Sequence, residues 1–490
     1  MPFTSMDVIV DTFSMLNPTD YYAFPLDSMS FDIRYGLNEQ ISSNIYVSPT
    51  GDNSNDGLTS DTPLKNISNA LSRIVSDSLN QRSVFLAEGV YSYSNNGENF
   101  PLNIPNYVNL FGAGINETIL DGENIIKLTG IINKMDIGIQ NLSLINGFGK
   151  YGGGIIVSNS KCYFQNAEIK SNYSIFLGGG MEISESQVSL KNCVFNSNYC
   201  NFLGGGFFTV DSEITLEKCQ LIRNTAEDRG GGIYSSSSHL DIINSNIYEN
   251  RTIILEGGGI YSKNSDMNFI NSIFWDNNLY QMYFGNSQNV DTISIAYCDI
   301  EGGEDNIYIS PIVNFNWLEG NIDEDPLFVD PANSDYTLQE NSPCIDAGIA
   351  FYVWDGDTLV NMSPDEYVGS APDMGAFEYG AVSINDDQEE IPQKFALYQN
   401  YPNPFNPVTT IRLDIPVETT DPVVSGRRSS GTSLQIFDVK GRLVETLIDD
   451  AMERGLHSVI WDASSVASGV YIYQLKSGGF IQTRKLVVLK

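Results

Sequence analysis

Glu185 and Asp211 stand 26 residues apart, with Glu182 and Glu213 close by in the chain. Two carboxylates brought side by side can share a proton, and so work as acid and base on a glycosidic bond, or can hold a hard cation such as calcium. Phe208, Tyr234 and Tyr261 recur at steps of 26 and 27. Rings in such a row offer an apolar strip for sugar faces, and Tyr173, Phe176, Tyr199 and Phe202 are placed to flank it. Asp52, Ser54, Asp56 and Asp61, around Gly57, echo the first half of a calcium loop, although Pro63 fills the twelfth position, where a Glu is required. Each group also has a plainer reading: a solvated acidic turn, aromatic stacking covered by loops, and an Asx-rich turn. No Lys or Arg is set opposite the acids to serve as the base of a lyase, Lys191 and Arg229 coming nearest.

Those steps matter only if residues one period apart are neighbours in space. Gly triplets begin at Gly152, Gly178, Gly204, Gly230 and Gly257, and an Asn recurs in the same register at Asn172, Asn198, Asn224, Asn250 and Asn277. Each period holds three short apolar-alternating runs and three turns without two-residue hairpin signals, which fits one coil of a parallel β-helix. Stacked strands lie about 4.8 Å apart, so equivalent positions form rows. Three rows read as core: Cys162, Val188, Ile214, Leu240, Met267; Phe164, Leu190, Leu216, Ile242, Phe269; and Ile169, Phe195, Leu221, Ile247, Phe274. At the turns Ser160, Ser186, Ser212, Ser238 and Ser265 align, as do Asn166, Asn192, Asn244 and Asn271, with Lys218 interrupting. Stacked hydroxyls and amides can satisfy turn backbone from coil to coil. Cys193 and Cys219 share one phase, within disulfide reach, but a core setting favours free thiols.

The bulk numbers exclude several classes. Twenty-six Lys and Arg against 61 Asp and Glu give a net charge of −35, which repels nucleic acid and anionic lipid. No stretch approaches the roughly 18 apolar residues of a membrane span. Six Cys and two His argue against a disulfide scaffold or a zinc site. Residues 63–77 carry apolar side chains at helical spacing and are expected to form an N-terminal cap helix. The expected domains are an N-terminal remnant of a truncated upstream region (1–43), the right-handed parallel β-helix (44–380), an acidic linker (381–393), and a small immunoglobulin-like β-sandwich (394–490).

The residues from Ile45 through Gly57, followed by that helix, look like the opening of secreted β-helix proteins related to pectate lyases. The Gly-Gly-Gly-Ile units resemble repeats of polymorphic outer-membrane proteins. Asp325-Pro326-Leu327-Phe328, Ser342-Pro343-Cys344-Ile345-Asp346-Ala347-Gly348 and Asp373-Met374-Gly375-Ala376-Phe377-Glu378 are similar to the exit of such helices. Toward the C-terminus, Asn400-Tyr401-Pro402-Asn403-Pro404-Phe405, Asp438 with Gly441-Arg442, Gly455 with His457, Trp461-Asp462, Gly469-Val470-Tyr471 and the end from Lys485 to Lys490 resemble a type IX secretion sorting domain of type A. A long insertion at 417–432 and a short turn after Trp461 depart from that pattern. The resemblance implies an exported protein, secreted or held on the outer-membrane surface, whose sorting signal is read by the type IX outer-membrane translocon.

Function is expected along two lines. The first is a surface solenoid that binds polysaccharide or another surface glycan, or acts as an adhesin, through Phe208, Tyr234 and Tyr261. The second is a polysaccharide lyase or glycoside hydrolase on acidic polysaccharides, with Glu185 and Asp211 as catalytic carboxylates. Structural calcium at Asp52, Ser54, Asp56 and Asp61 is the one cofactor expected.

Overall fold

The computed structural model describes residues 6–13, 29–36, 40–285, 290–354, 356–364, 366–380, 395–398, 400, 403, 405, 408–415, 432–450, 455–477 and 480–488. The chain forms two compact units, residues 1–382 and 383–490.

The first unit is a parallel β-solenoid of about nine turns. One turn runs through Met181–Ser184, Gln187–Lys191, Val194–Asn196 and the two-residue strand Tyr199–Cys200. Each strand pairs in parallel with its counterpart one period on, Met181 with Phe207, Gln187 with Glu213, Val194 with Gln220 and Tyr199 with Thr225. There are thus four sheets where three runs per turn were legible; the fourth strand is too short to carry an alternation. The first sheet has eight strands, Thr129–Ile132 to Ile307–Ile309, and the fourth has five, Phe148–Tyr151 to Arg251–Thr252. The second and third sheets are joined at one end, because Ile137–Ile145 and Lys161–Lys170 each run through both, bending at Asn141 and Asn166.

Alternation decides which side chains enter the stack. All three apolar rows read from the sequence pair in register and are buried. Each Leu, Ile or Phe so buried contributes about 1.5–3 kcal/mol relative to exposure. Within the turn begun by Met181, the corners fall at Glu185, Asn192, Ser197 and Gly204, all with positive φ, 48°, 51°, 54° and 72°. A non-glycine residue in that region is strained, and stacked polar rows offset the cost. Ser186 N donates to Ser212 Oγ at 3.1 Å, and Ser212 N to Ser238 Oγ at 3.1 Å. The recurrent Asn lies inside the stack: Asn198 N and Nδ2 both donate to Asn224 Oδ1, at 3.0 and 2.9 Å, while Asn224 Nδ2 reaches Phe195 O at 2.8 Å. In each triplet the first Gly turns the chain; the second permits close stacking, since a Cβ on Gly205 would run into the carbonyl oxygen of Gly231. Cys193 and Cys219 occupy a further corner row continued by Ser245 and Ser272, and all six cysteines are buried free thiols.

The expected N-terminal helix is half its predicted length, Ile67–Arg73, with Ile67, Ala70 and Leu71 buried in the solenoid core. It stops where Ile74 turns extended and joins the core. The Asn66 Oδ1 is taken by Asn53 Nδ2, so the helix N-terminus is satisfied instead by the buried Glu98 carboxylate, which accepts from Ile67 N at 2.6 Å and Ser68 N at 3.0 Å. Earlier still, Met6–Phe13 and Met29–Gly36 pair in parallel, an order not apparent from their composition.

The exit segment does more than leave the stack. Residues 325–380 fold back along it. Phe328, Tyr336, Leu338, Cys344 and Met374 pack on the outward Ile222 and Ile273 of the third sheet, and Tyr352 and Val360 cover Ile270 and Ala296. The acidic residues of the exit motifs bind backbone: Asp373 Oδ1 accepts from Asp346 N at 2.8 Å, and Asp346 Oδ1 from Ser370 N at 2.7 Å.

The second unit is a small antiparallel sandwich. One sheet holds Ala396–Leu397, Val408–Ile415 and Gly455–Asp462; the other orders Leu443–Asp450, Thr432–Asp438, Gly469–Ser477 and Phe480–Val488. Leu413, Leu434, Ile436, Trp461, Tyr473 and Leu486 form the core between them. The linker at 383–393 and most of the insertion at 417–432 lie outside the described residues.

Candidate binding face and sorting module

Glu185 and Asp211 are neighbours on successive turns, as their spacing predicts. They occupy the positive-φ corner between the first and second sheets, in a row with Asn159, Ser237 and Asn264. Both are exposed in a shallow open depression lined also by Glu213, His239 and Asp266. Glu213 binds Gln187 Nε2 at 3.1 Å, and His239 Nε2 lies 3.3 Å from Asp241 Oδ1, which holds the imidazole above its ordinary pKa. Glu182, close to them in the chain, is outward and half-buried on the first sheet, one turn before Phe208. The two cations nearest in sequence are engaged elsewhere, Lys191 with Glu217 at 2.7 Å and Arg229 with Asp228 at 3.3 Å. Among the described residues, no group of three His, Cys, Asp or Glu side chains gathers in a metal-holding arrangement.

In the Asp52 loop the carboxylates serve the loop itself. Asp52 Oδ1 accepts from Ser54 N at 2.8 Å, and Asp56 Oδ1 from Leu58 N at 3.0 Å and Thr62 Oγ1 at 2.8 Å. These are Asx turns, and the bonded amides lower both carboxyl pKa values. Asp61 is exposed beside them.

The aromatic row is real and longer than the period revealed. Phe208, Tyr234 and Tyr261 continue into Tyr283 and Tyr308, with ring centroids 5.3, 5.2, 5.2 and 4.2 Å apart and planes within 11°. The last two escaped the sequence because the turns shorten after Asn277. Rings side by side in one plane cannot come so close; near-parallel planes at this separation are offset face-to-face stacks. The expectation of an open apolar strip is therefore corrected: each ring covers its neighbours' faces, and only ring edges are turned outward. Phe208 and Tyr234 are only 7% and 5% exposed, against 37% for the terminal Tyr308.

Open aromatic surface lies instead at the edge of the fourth sheet and in the bend that follows it. Tyr151, Phe176 and Phe202, on three successive turns, are 47%, 44% and 50% exposed. Phe148, Tyr173 and Tyr199 stack beneath on the fourth sheet, their centroids 5.6 and 5.7 Å apart, with the Tyr173 hydroxyl on Asn201 and that of Tyr199 on Glu227. Lys150 precedes Tyr151, Lys127 lies against Gly149, and Arg251 continues the fourth-sheet row two turns past Tyr199; Lys150 and Arg251 are not ion-paired among the described residues. Burial lowers Lys127 to about 8, partly offset by the nearby Glu182, whose own carboxyl is raised by burial. Sequence reasoning missed Lys127 because it sits in an irregular turn two coils before Glu182.

In the second unit most of the residues read as a sorting signal are structural. Trp461 is buried and its Nε1 donates to Glu445 Oε2 at 2.8 Å; Asp438 accepts from Arg442 Nε at 2.7 Å around Gly441, whose φ is 76°. The Tyr471 hydroxyl donates to Ala467 O at 2.9 Å, two residues before Gly469, and Lys485 O accepts from Asn403 Nδ2 at 3.3 Å. Lys490 and the side chain of Asp462 lie outside the described residues.

Comparison with known proteins agrees with this division. Residues 399–489 match the secretion system C-terminal sorting domain, and residues 49–303 match a protein family of unknown function, DUF1565. No curated protein matches the chain. A crystal structure of a mutant pectin methylesterase in complex with a hexasaccharide aligns with 62% of this chain and 99% of its own, at 13% identity and a TM-score of 0.31. No helix among the described residues is long and apolar enough to cross a membrane, and the sorting domain marks the chain for secretion or attachment at the cell surface. With just over half of its length matched, the chain belongs to the DUF1565 family and carries a C-terminal secretion sorting domain.

Proposed function

We propose that this chain is an exported solenoid that binds polysaccharide, in the manner of a surface adhesin, along the ridge between its fourth and first sheets. The observation that carries this reading is the set of half-exposed rings, Tyr151, Phe176 and Phe202, on consecutive turns. Tyr151 and Phe176 meet at a tilt, centroids 5.6 Å apart and planes at 34°, so unlike the near-parallel row on the first sheet they leave ring surface open on which sugars can stack. The neighbouring Lys127 and Lys150, with Arg251 farther along the fourth sheet, favour an acidic glycan, since in a chain of net charge −35 such a ligand is repelled elsewhere. A glycan array probed with the purified chain tests this. The double variant Phe176→Ala/Phe202→Ala is expected to lose binding about tenfold or more, as truncation of central aromatic contacts does, while Tyr234→Ala changes it little. Equal binding by wild type and the double variant would sink the proposal.

A second reading rests on Lys127 and Glu182. A lysine and a carboxyl two coils apart, each moved toward its neutral form by burial, are the kinds of group that take a proton from carbon next to a uronate carboxyl and return one to the leaving oxygen. Under it, unsaturated products accumulate from acidic polysaccharide and vanish in Lys127→Met, whereas Glu185→Ala, in the open depression, leaves turnover intact.

A further inference from the structure

The sorting module has to be recognised by something, yet its most distinctive residues are turned inward. Trp461, Tyr473, Leu486 and Val488 are buried. What the four-stranded sheet shows to solvent is different. Antiparallel partners share a face, so Leu443, Phe437, Ile472 and Lys485 form one outward line across all four strands. Val470 and Val487, paired with each other, lie two residues along the same strands and so on the same face. Leu443, Val470 and Ile472 are exposed, as is Val439 in the adjoining turn. A small sandwich thus leaves a contiguous apolar patch on its outer sheet, where a free-standing domain would carry polar residues.

Charge sets the patch apart further. Residues 394–490 hold eleven Lys and Arg against nine Asp and Glu, whereas the preceding residues hold fifteen against fifty-two. Exposed Lys440 and Arg442 flank the patch on one side and Lys485 on the other. An apolar centre with a basic rim is complementary to a protein groove that is apolar at its base and acidic at its edge. It is poorly suited to a lipid surface, because the exposed apolar side chains of this face include neither Trp nor Tyr, the residues that favour a membrane interface.

We propose that the outer face of this sheet, Leu443, Phe437, Ile472, Val470 and Val487 with Lys440 and Lys485 at its rim, is the surface by which an acidic-rimmed apolar groove of the secretion apparatus reads the module. This goes beyond polysaccharide binding and stands whether or not the solenoid binds glycan. The test is export of the full chain in a host carrying the secretion system, scored by surface labelling against periplasmic content. Leu443→Ser/Val470→Ser/Ile472→Ser is expected to cut surface display about tenfold or more, with accumulation in the periplasm, as loss of an interface centre does. Lys440→Glu/Lys485→Glu changes two exposed side chains and is expected to cut display about threefold to tenfold through the rim. Urea unfolding of each purified full chain checks the fold. Wild-type display by the charge variant together with either wild-type display or an unfolded module in the triple variant overturns the proposal. So does normal export of a triple variant that has lost binding to vesicles of anionic phospholipid, an outcome that assigns the face to lipid.

Discussion

The solenoid and the sorting module use recurring residues in opposite ways. In the solenoid a repeated residue is repeated because it stacks on itself: the interior Asn row hands each amide to the next turn, and the apolar rows fill the space between. Whatever departs from the period there, such as Lys127, Lys263 or the folded-back segment 325–380, is what gives one side of the stack its character. In the module nothing repeats. Its recognisable residues close turns and fill a core, and what distinguishes it outwardly is an apolar face on a nearly neutral domain attached to a strongly acidic one. A motif in either unit therefore reports first on architecture, and chemistry has to be sought in the side chains the motif leaves free.

The largest expected effect tests the first half of that contrast. Asn224→Leu removes the acceptor for Asn198 N and Nδ2 and the donor to Phe195 O and Asn250 Oδ1, all inside the stack. Several buried polar groups then lack partners, at about 1–3 kcal/mol each, so a loss near 4–5 kcal/mol is expected in urea unfolding of the solenoid. Asn192→Ala, in the outer Asn row, removes one bond to Asn166 Oδ1 at 3.0 Å and leaves a strained φ of 51°; about 1 kcal/mol is expected there. Lys218 already breaks that outer row without consequence for the fold. Equal losses at the two positions would erase the distinction between interior and exterior rows.

A second prediction concerns the segment that departs from the period. Asp299, outward on the third sheet, is sealed beneath residues 325–380, where Cys344 Sγ lies 3.1 Å from its Oδ2. Burial raises its pKa to about 7, only partly opposed by the bonds from Cys344 and Glu324 N. A carboxyl whose folded pKa is raised contributes stability that is fully present below its unfolded pKa and is lost as pH rises through the folded value. The covering segment is expected to loosen between about pH 4 and pH 7, by on the order of 4 kcal/mol for a shift of this size. Glu378, raised to about 7 mainly by burial, acts in the same direction. Amide exchange of residues 325–350 across that range measures it, and Asp299→Asn should flatten the dependence. An exchange rate that falls as pH rises, after correction for intrinsic chemistry, would contradict the burial seen here.

How much of this could be read from the sequence follows from the same contrast. Residues separated by a fixed period become neighbours, so the core rows, the Ser and Asn rows and the adjacency of Glu185 and Asp211 were all legible. Orientation was not. Nothing in the spacing of Phe208, Tyr234 and Tyr261 says that their rings face one another and not the solvent, and Tyr283 and Tyr308 were hidden by a change in turn length. Contacts without a period were equally hidden: Glu98 on the helix N-terminus, Lys127 near Glu182, and Phe328 and Tyr336 on the third sheet. Each depends on irregular chain returning to the stack from a distance that no local pattern encodes.

The smallest expected effect bears on the module. If Trp461 is there to fill the core and to hold Glu445, Trp461→Phe keeps most of the apolar volume and gives up the 2.8 Å bond. The hydrogen bond accounts for about 1 kcal/mol and the reduced ring for a comparable amount, so the module should lose about 2 kcal/mol and remain folded. Surface display should then stay at the wild-type level, because a buried indole presents nothing for the apparatus to read. Loss of display with the module still folded in urea titration would show that Trp461 is recognised directly. It would then be the module's motif, and not its outer sheet, that carries the signal, and the opposition drawn between the two units would fail at that residue.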